Sequence, residues 1–430
     1  MLHAVVGVGA LNQAVRNGFQ KSGEERPYNS QNATYQYALK QYDKALKGMR
    51  TAIATGKHDV RTALIACLLV FLFESLQGHP YSAVSNAKCG LMLLQEWESC
   101  RSSSKATYSG ARALENDILN AYAVIDTQVL FFMDTRTQDE HHAAVHRFAD
   151  KISSMPSEIE NLEEVLNYWL LIQSWNYHFK ILIVDALSDP AVSGQGGHAD
   201  GKAAVTDSKY EAVFSRHVPI SASAYELREQ MEGYREIIRR WAHASTTIFE
   251  GVDKCGSQEE RVTVALLKIY SNLSHIQLGG AFLTKETEYD AFLPEHTTIV
   301  ELSESIYSYV ASPSSSPGGI YRFFTGIIYP LSATAFRCRD KSIRARAINL
   351  LRKGPYREGI WNAQEVGCLA NWIREVEEEG MDENGFIPEA SRVMMTLCDI
   401  APDGRTALLG CTSANEDGLK FRKEVVQWKT

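Results

Sequence analysis

From Tyr168 to Val184 (YWLLIQSWNYHFKILIV) the chain is apolar almost all the way round a helical period. A helix without a polar face is a buried helix, so the remaining chain has to enclose this one. That requirement constrains the fold more than any other stretch.

The enclosing material is itself helical in pattern. Val5, Val6, Val8, Leu11 and Val15 mark one stripe, and Tyr35, Leu39, Tyr42, Ala45, Leu46 and Met49 the next. Asp59 is placed to cap a third helix carrying Leu64, Leu68, Phe71, Leu72 and Leu76, which stops at Gly78. Further helices are predicted from about Tyr81 to Glu98, Ala113 to Asp134, Pro156 to Ser188, Ala222 to Gly251 and Gln258 to Leu283. The short connections predict an all-α fold, an array of stacked antiparallel helical hairpins in a single domain spanning 1–430. It lacks the roughly 34-residue period of tetratricopeptide repeats. Asp189 to about Val218, rich in Gly, Ala, Ser and Asp, reads as an exposed flexible loop within that domain.

Tyr321 to Gly380 reads as an apolar helix, a charged elbow, a basic helix, a Gly-Pro break and a closing amphipathic helix. After it, Thr396–Asp399 and Thr406–Cys411 are spaced to form a small C-terminal β-hairpin around Pro402, Asp403 and Gly404. The remainder, with Trp428, reads as a polar tail.

A formal net charge of -8 and a pI near 5.9 argue against a dedicated nucleic-acid surface. The eight cysteines include no C-x2-C pair, which leaves no zinc cluster or ribbon and fits a reduced intracellular protein, nuclear or cytoplasmic. The longest apolar run, Ala63 to Phe73, falls short of the roughly 20 residues a spanning helix needs, and the N-terminus lacks a basic leader region. Neither secretion nor a membrane is expected.

Chemistry-bearing groups are few. Glu140, His141, His142 and His146 form the most metal-like pattern, with His142 and His146 on one helical face. Without HExxH or a third ligand, a solvated helix start is the expectation, with no metal. His178 lies in the buried helix, where it is either a core histidine with one satisfied hydrogen bond or a ligand contact and proton donor. Two aromatic groups stand out: Tyr168, Trp169, Trp175 and Tyr177, and then Tyr321, Phe323, Phe324 and Tyr329. Each reads either as core packing or as the wall of a pocket between helices. The pocket reading places a ligand between the Tyr168–Val184 helix and a helix from Tyr321 to Arg337. Its contacts would be Tyr168, Trp175, His178, Tyr321, Phe324 and Tyr329, with His178 and Tyr329 as acid/base candidates if turnover occurs. Arg337, Arg339, Asp340, Arg344 and Arg346 read either as an anion-binding cluster or, the preferred reading, as inter-helix ion pairs at the elbow, with Asp340 as an N-cap. Glu377 to Glu379 read as a solvated helix end. No GxSxG elbow, phosphate loop or post-strand GxGxxG is present, so no hydrolase, kinase or dehydrogenase is specified and no cofactor is implied.

Five stretches carry a family resemblance: HAVVGVGALNQAV (His3–Val15), YQYALKQYDKALKGMR (Tyr35–Arg50), DVRTALIACLLVFLFESLQG (Asp59–Gly78), IIYPLSATAFRCRDKSIRARAINLLRKGPYREGIW (Ile327–Trp361) and EEEGMDENGFIPEASRV (Glu377–Val393). In order and spacing they resemble the regulatory region of fungal zinc-cluster (six-cysteine) transcription factors, the fungus-specific transcription factor domain. The resemblance implies an all-helical fold and, as in several relatives, a hydrophobic pocket for a small molecule. The six-cysteine DNA-binding module does not accompany it here, and Met1 falls where relatives are already inside the domain, so direct DNA contact is not carried over. Three readings follow: a regulatory domain binding a small hydrophobic ligand or a protein partner; an enzyme on this scaffold, cyclising, isomerising or adding to a reactive intermediate of fungal secondary metabolism; or an interaction module. Ligand identity, turnover and oligomeric state stay open at this level.

Overall fold

A computed structural model describes residues 1–22, 32–55, 59–101, 109–132, 134, 136–188, 222–310, 321–322, 326–353, 357–401, 406–415 and 418–427. The loop expected at 189–218, Phe324, Trp428 and the turn at Pro402 to Gly404 lie outside them.

The described chain is mostly helical, with a small β-sheet at its C-terminal end. Consecutive helices are neighbours: α1 (Leu2–Ser22) lies on α2 (Ala33–Ala54), and α3 (Val60–Gln77) on α4 (Pro80–Arg101). Likewise α6 (Gln138–Ser153) packs on α7 (Leu162–Ser188). The capping logic of the sequence holds at α3. The Asp59 carboxylate accepts from the Thr62 N–H at 2.7 Å, and Gly78 ends the helix at φ 76°, where a Cβ would be strained. By length and hydropathy alone α3 is apolar enough to cross a membrane. Here it buries Leu64, Phe71 and Phe73 against its neighbours, as a core helix does.

α7 is the helix around which the body packs. It touches α5 (Ser109–Phe132), α6, α8 (Ala222–Ala244) and α10 (Gln258–Gly280), and an unbroken run from Ile172 to Phe179 is buried. It begins at Leu162 rather than Pro156, because Asn161 caps it by accepting from the Glu164 N–H at 2.9 Å. The helix expected over Ala222–Gly251 is two, α8 and α9 (Thr246–Cys255), parted at Ser245. There the Ser245 hydroxyl donates to the Trp241 carbonyl, and the Ala244 carbonyl instead accepts from the Ile159 N–H.

α11 (Leu293–Val310), α12 (Ile328–Arg337), α13 (Lys341–Arg352) and α14 (Ala363–Glu378) complete the helical body. α12 starts later than its aromatic lead-in implied. Tyr321–Arg322 is a short strand, β1, paired with β2 (Arg357–Glu358), which turns into β3 (Trp361–Asn362). The buried Glu358 carboxylate accepts from the N–H groups of Gly326, Ile327 and Ile328 at 2.9, 2.6 and 3.0 Å. One side chain thereby satisfies three orphan donors at the helix start and sets a negative charge on its positive end.

The C-terminal sheet is a three-stranded antiparallel meander, β4 (Val393–Ile400), β5 (Thr406–Asn415) and β6 (Gly418–Gln427). The expected hairpin is its first half. The segment read as a polar tail forms the third strand, since Phe421 and Val425 alternate with charged residues at strand period.

Candidate functional site

α7 presents three different polar or aromatic faces, and the sequence-predicted site residues divide among them. Gln173, Tyr177 and Lys180 follow one helical stripe. The Gln173 amide donates to the Tyr177 hydroxyl at 3.3 Å. Across from it, the buried Tyr329 hydroxyl of α12 accepts from the Gln277 amide of α10, with its ring 5.6 Å from that of Trp361. Burial, with Tyr177 close by, raises the Tyr329 hydroxyl well above its ordinary pKa, so it stays protonated. Burial likewise pushes the Lys180 ammonium down to about 8, with the charge of Arg337 adding to the effect. α10 stands between the two groups, packing on α7 and on α12.

His178 lies on a second face and has a partner that sequence spacing does not reveal. Its Nδ1 is 2.9 Å from Nδ1 of His141 on α6. The Nε2 of His178 faces Asp126 on α5 at 3.4 Å, and the Nε2 of His141 faces Asp134 at 3.3 Å. Arg136 spans both carboxylates, at 2.7 Å from Asp126 and 2.9 Å from Asp134. Hydrogen-bond arithmetic fixes the protons. One imidazole has to donate between the two Nδ1 atoms, and a bare nitrogen facing a carboxylate would be repelled by it. Three N–H protons are therefore shared by two rings, one more than two neutral histidines hold. Burial, joined by His178 and Arg136, drives His141 down to about 4 against the pull of Asp134. Asp126, although its burial opposes ionisation, is held below the usual carboxylate range by His178 and Arg136. Two carboxylates are thus balanced by one guanidinium and the one proton that the paired imidazoles share beyond their neutral complement.

The third face is aromatic. Trp175 and Phe179 each stack on Tyr234 of α8 with ring centroids 3.8 Å apart. Trp169 meets Trp241 at 4.5 Å, and the half-buried Tyr168 packs against the same core. The Trp175 indole nitrogen and both amide atoms of Asn176 are buried without a hydrogen-bond partner among the described residues. Such orphaned groups on a central helix are rare in folded proteins and call for an explanation. Tyr321 lies in β1, outside any helix shared with Tyr329.

Of the metal-like group, only His141 is buried; His142 and His146 are exposed, and Glu140 accepts from the Thr137 N–H at the start of α6. Among the described residues no three His, Cys, Asp or Glu side chains converge on a metal-sized point.

The elbow is an ion-pair core. Arg337 meets Glu286, Arg339 meets Glu286 at 3.0 Å and Glu377 at 2.8 Å, and Arg344 meets Glu377 at 2.7 Å. Asp340 caps α13 through the Ile343 N–H at 2.9 Å, as its position implied. Glu377 departs from expectation. It is wholly buried, because Arg339 and Arg344 need a counter-charge there, and only Glu379 beyond it reaches outward to Arg422. Beside the elbow a cavity of about 220 Å³ is walled in part by His296, Cys338 and Arg339, and a surface groove of about 600 Å³ runs past Tyr307 and Arg346. None of the six expected ligand contacts lines either one.

No family model matches the chain, and no solved structure matches it. Among curated proteins the chain is similar to the aspercryptin biosynthesis cluster-specific transcription regulator atnN of Emericella nidulans, with 21% identity covering 91% of this chain and 71% of the relative. Along nearly its whole length, the chain is like a fungal transcription regulator.

Proposed function

We propose that this chain is a regulatory module of a fungal transcription regulator that responds to a small hydrophobic molecule held beside α7. The carrying observation is the extent of the similarity, which covers 91% of the chain rather than one element of it. The relative is named for a biosynthetic cluster, so the matching role here is control of secondary metabolism inside the cell, with the nucleus as the place of action. The orphaned Trp175 indole and Asn176 amide support the ligand part, since a hydroxyl or carbonyl of a bound molecule would satisfy them. On this reading Trp175 and Asn176 hold the ligand from the aromatic face of α7, while His178 and Tyr329, engaged on its other sides by His141, Asp126 and Gln277, support that helix.

An enzyme on the same scaffold is the second reading, favoured by one feature, the Asp126–His178 and Asp134–His141 units. Carboxylate-oriented imidazoles are what general acid/base chemistry uses. Their Nδ1 atoms close on each other, however, and both rings are within 2% of complete burial.

Native mass spectrometry after incubation with fungal metabolite extract tests both. A molecule retained unchanged, raising the melting temperature and lost in a Trp175→Ala variant that still folds, is the expected result. A molecule consumed and replaced by an isomer would overturn the regulatory reading in favour of the enzyme.

A further inference from the structure

The outer face of the C-terminal sheet exposes Phe421, Val425 and Leu408, although Thr412 beside Phe421 is buried. On β5, Ala407, Leu409 and Cys411 turn inward and are buried to 1% exposure or less, so Leu408 and Thr412 belong to the opposite face. Directly paired residues share a face, which adds Val425 and Asp399 beside Leu408, and Phe421 and Met394 beside Thr412. Between these rows lie Leu397, Gly410 and Lys423. Phe421 is 71% exposed, Val425 67% and Leu408 36%. Isolated apolar side chains on a surface are ordinary; several on one sheet face of a water-soluble fold mark a contact surface.

Charge placement selects the occupant. Asp399 sits on β4, at one edge of the sheet, and Lys423 on β6, at the other. Both are exposed, and neither meets an opposite charge among the described residues. A two-fold axis running parallel to the strands lays β4 of one sheet over β6 of the other. That operation sets Asp399 one residue pair away from the Lys423 of a second copy, within reach of a lysine side chain, and does so twice. It also places Leu408 against its own symmetry mate and Phe421 over Met394 of the other copy. A self-complementary patch is the signature of an isologous interface.

We infer that two copies of this chain associate through the outer faces of their C-terminal sheets, with Phe421, Leu408 and Val425 as the apolar contacts and Lys423, between Phe421 and Val425 on β6, paired with Asp399 of the second copy. Sheets packed in this way lie about 10 Å apart with strands within about 30° of alignment. This inference goes beyond the regulatory reading and does not depend on it, because it concerns the isolated protein.

The test is sedimentation equilibrium of the full chain from about 0.1 to 100 µM, the range in which a modest interface of this kind would titrate. The wild type is expected to show a monomer–dimer equilibrium. Phe421→Glu should weaken it at least tenfold with little change in melting temperature, since the side chain is 71% exposed in the monomer. Asp399→Lys alone should weaken dimerisation, and Asp399→Lys with Lys423→Asp should restore it. A wild type monomeric throughout, leaving the face to some other protein, would overturn the inference. So would a dimer indifferent to Phe421→Glu, or a charge swap that fails to restore association.

Discussion

The imidazoles of His141 and His178 meet Nδ1 to Nδ1 at 2.9 Å, and each turns its other nitrogen to a different aspartate. The arrangement ties α5, α6 and α7 together through one buried proton. Removing a member strands charge in the interior. Asp126→Ala leaves His178 and Arg136 without their shared carboxylate and is expected to cost about 3 kcal/mol, the usual penalty for halving a buried pair. Asp126→Asn keeps the shape and should cost less. Urea unfolding of both variants measures the difference, and equal stability of Asp126→Ala and the wild type would contradict the proton assignment.

Acidification should weaken the fold. His141, pushed down to about 4, and His296, pushed down to about 3 by burial and then by Arg339 and Arg337, are both neutral when folded. Between pH 6.5 and those values the unfolded chain binds protons that the folded chain refuses, so stability rises with pH over this window. Each such proton contributes a slope of up to about 1.4 kcal/mol per pH unit. The depressed carboxyl of Asp126 adds a further loss only at lower pH, below the ordinary carboxylate range. Melting temperatures at pH 7, 6 and 5 should fall steadily, and more shallowly in His141→Gln.

Glu377 is the counter-charge for two buried guanidiniums and also accepts from the Val393 N–H at 2.9 Å, which joins α14 to β4. Arg339 and Arg344 pull its carboxyl below the ordinary value despite burial. Glu377→Ala should destabilise by about 3–5 kcal/mol, whereas Glu379→Ala, at an exposed pair with Arg422, should change stability by less than about 1 kcal/mol. Parallel chemical unfolding of the two variants checks the contrast between neighbouring glutamates.

The turn that carries Glu358 to the start of α12 leaves no room for substitution. Gly359 has φ +55°, and a Cβ there would lie 1.9 Å from the Gln128 side-chain oxygen, which accepts from the Ile360 N–H. Gly359→Ala is expected to cost more than about 1 kcal/mol, with Glu358→Ala costing a comparable amount or more. Thermal unfolding with hydrogen exchange at Ile327 and Ile328 would localise the effect to α12.

Helical periodicity made the central helix, the capped start of α3 and the Asp340 cap legible, because each depends on neighbours within a turn. What stayed hidden depends on distance along the chain. Asp126 and His178 lie far apart in sequence and only folding brings them together. Glu377 misled for the same reason: a run of glutamates looks solvated until Arg339 and Arg344 are seen to need one of them. The third strand of the C-terminal sheet was obscured because its outward alternation is apolar and its inward one charged, the reverse of the usual pattern. The extent of any ligand site was the least legible part, since stacked aromatics serve core and pocket alike.

The central claim is that this chain regulates transcription in response to a small molecule. The most direct measurement joins residues 1–430 to an unrelated DNA-binding module in a fungal reporter strain and records expression with and without cluster metabolites. The account expects expression that changes with the metabolite and ceases to change in Trp175→Ala. Reporter output equal to that of the DNA-binding module alone, under every metabolite condition, would contradict it.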